Sequence, residues 1–446
     1  MASVMCTEPI DPAFEEQVLR KAFKRIVFFL FLLNIFNYLD RINVGFAALA
    51  MNRDLKLTAT TFGLSITMFY IGYAFCEIPS NILLTKYGAR RWIARILITW
   101  GLASTATMFA VGAHSLYIIR AIVGVAEAGY QPGILLYLSY WFPATYRARA
   151  TALFLIAQPL TAAIGSQASG LILDHAHGIL GLPGWRWLFL FEGFPTVVLG
   201  IIALFYLCDG PAKAKWLTDP EKGALQRRLQ REQSAVTAHA GGGKVWRELF
   251  SRNVILLAII YFCMVMGLNA TANWTPQIVR DVLRAHSFSY VGLVAAIPAT
   301  CSIIVIPFWC AHSDRKMERT WHYMLPILLS AVGWIMVAYL KMPEVRMIGL
   351  IFCAVGVFVG QSIFWTVPVF VLSPKARPVG IAAISTFGMF GAMSSPLIIG
   401  YLKDLTGNWT ASLTCIAVVL VGAAVLIHLI PRESAAIGVK EAGAPR

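Results

Sequence analysis

IVFFLFLLNIFNYLDRINVGFAALA, residues 26–50, is the stretch whose reading decides the fold. A helix of about 20 predominantly apolar residues crosses a bilayer, and this run is long enough to do so. Asp40 and Arg41 interrupt it. A charged side chain near mid-bilayer costs a few kcal/mol or more, so intramembrane carboxylates and guanidiniums usually mark an ion or substrate pathway. A polar tail precedes the run and the two charges fall before its small-residue end. It therefore reads as a retained helix rather than a cleaved leader.

The whole chain has the composition of a membrane protein. Of its 446 residues 58% are hydrophobic and 13% charged, with mean hydropathy +0.69, whereas soluble domains carry about 25% charged residues. Apolar runs punctuated by Pro, Gly or charge predict twelve spans near 25–48, 60–84, 92–112, 116–139, 150–173, 187–208, 253–275, 289–311, 323–340, 346–370, 380–401 and 411–430. The fold class expected is an all-α membrane protein with twelve transmembrane helices in two six-helix bundles. Residues 1–24 form a cytoplasmic N-tail, 25–208 the first bundle, 209–252 a cytoplasmic linker, 253–430 the second bundle and 431–446 a cytoplasmic C-tail. With both termini inside, 26 Lys and Arg fall on the cytoplasmic side against 8 outside, the asymmetry that orients membrane proteins. The net charge of +15 is thus a topology signal, and no nucleic-acid partner is expected.

Two segments look like repeats. RDLKLTATTFGL, then Pro79, then KYGARR has a counterpart in RDVLRAHSFSYVGL, then Pro307, then SDRKMER. Parallel repeats of six spans place a substrate site near the midplane, between the halves. Span four adds charge. In RAIVGVAEAGYQPG, Arg120, Gly124, Glu127 and Gln131 recur at helical spacing and are expected along one face. Two carboxylates and two guanidiniums then share the first bundle, either bracketing a cavity or forming structural ion pairs between helices one and four. The eight cysteines are scattered through apolar spans and read as small hydrophobes. His175 and His177 alone make a weak metal site, and neither metal nor cofactor is expected. Walker, zincin and nucleophile-elbow motifs are missing from the sequence, which argues against ATP coupling and against an enzyme.

The strings NYLDRINVGFA, GYAFCEIPSNILLTKYGARRWIARI, RAIVGVAEAGYQPG, FWTVP and SDRKMERTWH together resemble the anion:cation symporter family of the major facilitator superfamily, whose members carry tartrate, phthalate, 4-hydroxyphenylacetate and sugar acids. The resemblance implies proton-linked carboxylates at Asp40 and Glu127, a substrate-binding guanidinium at Arg41, and pocket residues at Tyr38, Tyr73, Gln158 and Trp365. The charge reading adds Arg120 to the substrate site. Gln361, four residues before Trp365, and Ser385, where relatives often carry Asn, are expected to select among substrates. Lys86 and Arg90, with Asp314 and Arg315 as the acidic-basic pair of the second half, are expected to brace one conformation. Asn81 and Thr85 stand where the superfamily pattern has Gly and Asp. The implied function is proton-coupled import of a small organic carboxylate across the bacterial inner membrane by a monomer. The alternatives are an anion exchanger or efflux carrier of the same fold, or a transporter-like sensor.

Overall fold

The computed structural model describes residues 11–238, 250–373 and 376–430. The two tails, the Gly-rich part of the linker and Cys6 fall partly or wholly outside the described residues. Among the described residues twelve helices are long and apolar enough to cross a membrane. The first bundle comprises α1 (Pro12–Asp54), α2 (Ala59–Tyr87), α3 (Ala89–Ala106), α4 (Ala113–Glu127), α5 (Tyr130–Trp141), α6 (Ala144–His175) and α7 (Gly184–Tyr206). A linker helix, α8 (Asp219–Ala238), follows. The second bundle comprises α9 (Arg252–Leu283), α10 (Phe288–Lys316), α11 (Thr320–Tyr339), α12 (Pro343–Phe364), α13 (Val367–Val371), α14 (Arg377–Thr406) and α15 (Thr410–Leu426).

Local chemistry sets the helix ends. Asp11 accepts from the Ala13 amide at 2.9 Å with Pro12 in the first turn, so α1 starts inside the segment expected to be a tail. Gly88 and Gly407, at φ 87° and 70°, end α2 and α14. The linker helix docks on the start of α1 through Lys21–Glu221 at 2.8 Å and Arg231–Glu15 at 3.2 Å.

Span four is interrupted near its middle, and span ten, its equivalent in the second half, close to its end. In span four Ala128 takes ψ 132° and Gly129 φ 84°, which separates α4 from α5. In span ten the break falls at Trp365 and Thr366. Gln131 therefore lies on α5, and the single face expected for Arg120, Gly124, Glu127 and Gln131 ends at Glu127. The left-handed glycine cannot continue a right-handed helix.

The halves meet along α2 with α14, α6 with α10, and α1 with α9. The first two seams repeat each other. A Cβ on Gly63 or Gly400 would strike the Pro396 carbonyl or the Ala59 carbonyl, and one on Gly292 or Gly170 would strike that of Ser166 or Phe288. Small residues let these helix backbones touch. At the end of each seam an aspartate caps the facing helix: Asp404 accepts from the Ala59 and Thr60 amides at 3.1 and 2.7 Å, and Asp174 from the Phe288 and Ser289 amides at 3.1 and 2.8 Å. With the contact from Arg280 to the Leu49 carbonyl, these links clasp the halves at the end away from the linker.

Each cap contributes on the order of 1 kcal/mol, so Asp174→Ala combined with Asp404→Ala should favour separation of this end by roughly tenfold or more. In a background without native cysteines, Ala59→Cys should react with a membrane-impermeant maleimide faster by about that factor.

Candidate functional site

Consecutive residues of a helix point about 100° apart, and Asp40 and Arg41 diverge accordingly. Arg41 faces α4. Its Nη2 lies 2.5 Å from Glu127 Oε1, and Asn37 Nδ2 donates to the same oxygen at 2.7 Å. Glu127 is fully buried, whereas the Arg41 side chain is 27% exposed, so the guanidinium is the end of the pair that a solute can reach. Asp40 faces α3 instead. Trp100 Nε1 donates to its Oδ2 at 2.9 Å, and the Ser104 hydroxyl donates to Oδ1. The first acid is ion-paired and the second is held by neutral donors.

Rings of α2 surround the guanidiniums. Arg41 sits 5.3 Å from the Phe69 centroid, 5.7 Å from Tyr73 and 6.0 Å from Tyr70, and Arg120 sits 4.9 Å from Phe69. Such contacts hold a cation without neutralising it. Arg120 is 3% exposed, and its Nε and Nη1 have no hydrogen-bond acceptor. A buried guanidinium with unmet donors costs energy that an arriving anion would recover. The electrostatics thus favour an anionic occupant beside Arg41 and Arg120.

The second bundle closes on this cluster with neutral groups. Tyr70 donates to Asn269 Oδ1 of α9 at 2.7 Å across the seam. Tyr38 lies beside Gln131. Tyr261 of α9 lies near Tyr38 and Tyr70, and its ring meets Trp365 edge-on at 4.8 Å and stacks on Phe364 at 5.1 Å. The structure thus brings together Asp40, Arg41, Glu127, Arg120, Tyr38 and Tyr73, with Trp365 joined through Tyr261. Gln158, Gln361 and Ser385 are half-buried and make no hydrogen bond to the cluster among the described residues.

The residues expected to brace a conformation lie apart, at the linker end. Lys86 and Arg90 line a polar cavity of about 440 Å³ with Arg91, Asp209 and Lys213, where Asp209 accepts from the Arg90 amide at 3.0 Å. Asp314 pairs with Arg319 at 2.6 Å rather than with Arg315. The left-handed Met317 (φ 50°) ends α10 and folds Arg319 back over it.

Sequence reasoning missed Trp100, Ser104, Tyr70, Asn269 and Tyr261, whose roles depend on partners from other helices. It also placed only Asp40 and Glu127 deep in the first bundle. Glu192 of α7 is a third buried acid, 3% exposed, and its signal was legible as the lone charge in LFLFEGF.

Twelve spans in two related halves, with a charged aromatic cluster at their seam, define a polytopic transporter rather than an enzyme. The Major Facilitator Superfamily profile matches residues 30–369, and the chain belongs to that family. A protein of Agrobacterium vitis named "Putative tartrate transporter" is 42% identical over 94% of this chain and 92% of its own length. A "Quinolone resistance transporter" of Acinetobacter baumannii is 33% identical over 94% and 95%. The first is consistent with the anion:cation symporter resemblance. Among solved structures, an inward-facing bacterial homologue of the lysosomal transporter Spinster superposes with a TM-score of 0.72 at 15% identity, covering 98% of this chain and all of that one.

Gly129→Ala should destabilise the site directly. The left-handed conformation costs a residue with a Cβ about 1–2 kcal/mol, and that Cβ would press on the Ser80 side chain. A thermal melt in detergent should fall by several degrees.

Proposed function

We propose that this protein is a proton-coupled symporter that imports a small organic carboxylate, of the hydroxy-acid or aromatic-acid type, across the bacterial inner membrane. It works as a monomer with both termini in the cytoplasm. The observation that carries the reading is the Arg41–Glu127 pair beside Arg120, whose donors are unmet. The tartrate relatives support the substrate class. With the clasped end outward, the form described here corresponds to a site reached from the cytoplasm.

The pair suggests how anion and proton bind together. A substrate carboxylate arriving at Arg41 competes with Glu127 for the same guanidinium, for which its planar fork is well suited. A carboxylate stripped of its cation inside a dry membrane site is neutralised by a proton. Glu127 thus accepts the proton when the anion takes its place, and Arg120 supplies donors to the anion's second oxygen or to a neighbouring hydroxyl. Asp40, held by Trp100 and Ser104, is the second proton site. Closure of the second bundle brings Tyr261 and Trp365 over the apolar body of the substrate.

In proteoliposomes, Asp40→Asn and Glu127→Gln should each abolish accumulation driven by an imposed proton gradient while counterflow of a carboxylate persists. Arg41→Lys, which keeps the charge and loses the fork, should weaken binding in both assays by tenfold or more. Normal gradient-driven uptake by both carboxyl variants would sink the coupling assignment.

Specificity should reside opposite the charges. Trp365→Ala is expected to reorder a panel of aliphatic and aromatic carboxylates in competition assays, with the gradient still driving whichever is carried. An unchanged ranking would return Trp365 to a packing role.

A further inference from the structure

Glu192 takes no part in the site just described, yet it is buried in the membrane and has no ion-pair partner among the described residues. Its Oε1 accepts from the Ser169 hydroxyl of α6 at 2.8 Å. Its Oε2 is a buried acceptor with no donor. Asn43 of α1 lies between it and Asp40: its side chain lies beside the Glu192 carboxyl, and its Nδ2 donates to Asp40 Oδ1 at 3.4 Å. The Asn43 Oδ1 is also buried without a donor.

Two carboxyls bridged by one amide leave two orphaned acceptors, Glu192 Oε2 and Asn43 Oδ1. A single hydrogen on Glu192 supplies the missing donor. Around it α1 contributes Asp40 and Asn43, α6 contributes Ser169, and α3 contributes the hydroxyls of Ser104 and Thr105; no cation in this set balances a second negative charge.

Depth gives the arrangement a direction. Trp185 Nε1 donates to Asp54 at 2.9 Å, which sets the start of α7 level with the end of α1 at the clasped end. Counting about 1.5 Å per residue from there, Glu192 lies roughly 12 Å in, Asn43 roughly 16 Å and Asp40 roughly 21 Å. The three form a descending series toward the site, on the side of α1 turned away from Arg41.

We infer that Glu192 is a third proton-binding carboxyl, linked to Asp40 through the Asn43 amide so that the two acids share one proton, on the side of α1 away from the anion. The inference rests on the proton-coupled reading above. The amide presents its donor end to whichever carboxyl is ionised and its acceptor end to whichever holds the hydrogen, so the pair carries one proton in either arrangement.

Glu192→Gln tests it, because glutamine keeps both a donor and an acceptor in nearly the same volume. In proteoliposomes loaded with a carboxylate that the parent transports, counterflow should stay within about twofold of the parent. Gradient-driven accumulation should fall at least fivefold, the pH profile of uptake should shift, and Glu192→Asp should restore part of the loss. Asn43→Ala, which leaves both acids in place, should reproduce the coupling defect. If Glu127→Gln abolishes accumulation while Glu192→Gln and Asn43→Ala keep the parental accumulation and pH profile, Glu192 is a structural hydrogen-bond donor and the inference fails. If Asp40→Asn and Glu127→Gln also leave gradient-driven uptake intact, it is the proton-coupled reading that fails.

Discussion

A guanidinium and a carboxylate 2.5 Å apart in the middle of a membrane protein constrain much of what surrounds them. Removing Arg41 leaves the fully buried Glu127 carboxylate unpaired, a loss of about 3–5 kcal/mol for buried pairs generally. The pair therefore fixes the rotation of α1 against α4. That rotation turns Asp40 toward Trp100 and Ser104, and it sets Asn37 on the carboxylate and the α2 rings around the guanidinium. Such a pair is a poor stabiliser compared with apolar packing. Its place beside the seam between the two halves makes more sense as chemistry to be exchanged than as a fastening.

The fastening lies elsewhere, and it is made largely of backbone. Glycines at equivalent places of the two halves bring α2 onto α14 and α10 onto α6, and an aspartate from the far end of each partner caps the helix it meets. Because α2 and α10 are equivalent, as are α14 and α6, the two seams are the same structure used twice. The first-half charges then sit at the hinge of a nearly two-fold arrangement while the second half offers mainly aromatic and amide groups.

The sequence was most legible where one helix carries the whole signal. Twelve apolar runs, the midpoint linker and the charges Asp40, Arg41, Arg120 and Glu127 can be read from hydropathy alone, since a bilayer tolerates few exceptions. Glycines 63 and 292 also emerged from the repeat, although their purpose, helix contact, did not. Features made by two chain segments were not legible. Trp100 and Tyr261 look like any other apolar filling until a partner is placed beside them, and Asp174 and Asp404 look like loop charges. The break after Glu127 was hidden because Ala-Gly within an apolar run is compatible with a continuous helix, and only the left-handed Gly129 ends it. Glu192 was visible but stood without a matching opposite charge.

The break also gives the charged cluster a permanent electrostatic component. Where α4 stops at Glu127 its last carbonyls are unpaired by the helix, so the negative end of its macrodipole, roughly half an elementary charge, lies in the same place as the carboxylate. Arg41 therefore faces two counter-charges of different kinds. One belongs to a side chain and can be cancelled by a proton. The other belongs to the peptide bonds and cannot be titrated. When Glu127 is neutral the guanidinium still has a reason to stay at the end of α4, and an anion arriving at the seam meets a cation already held in position at any pH.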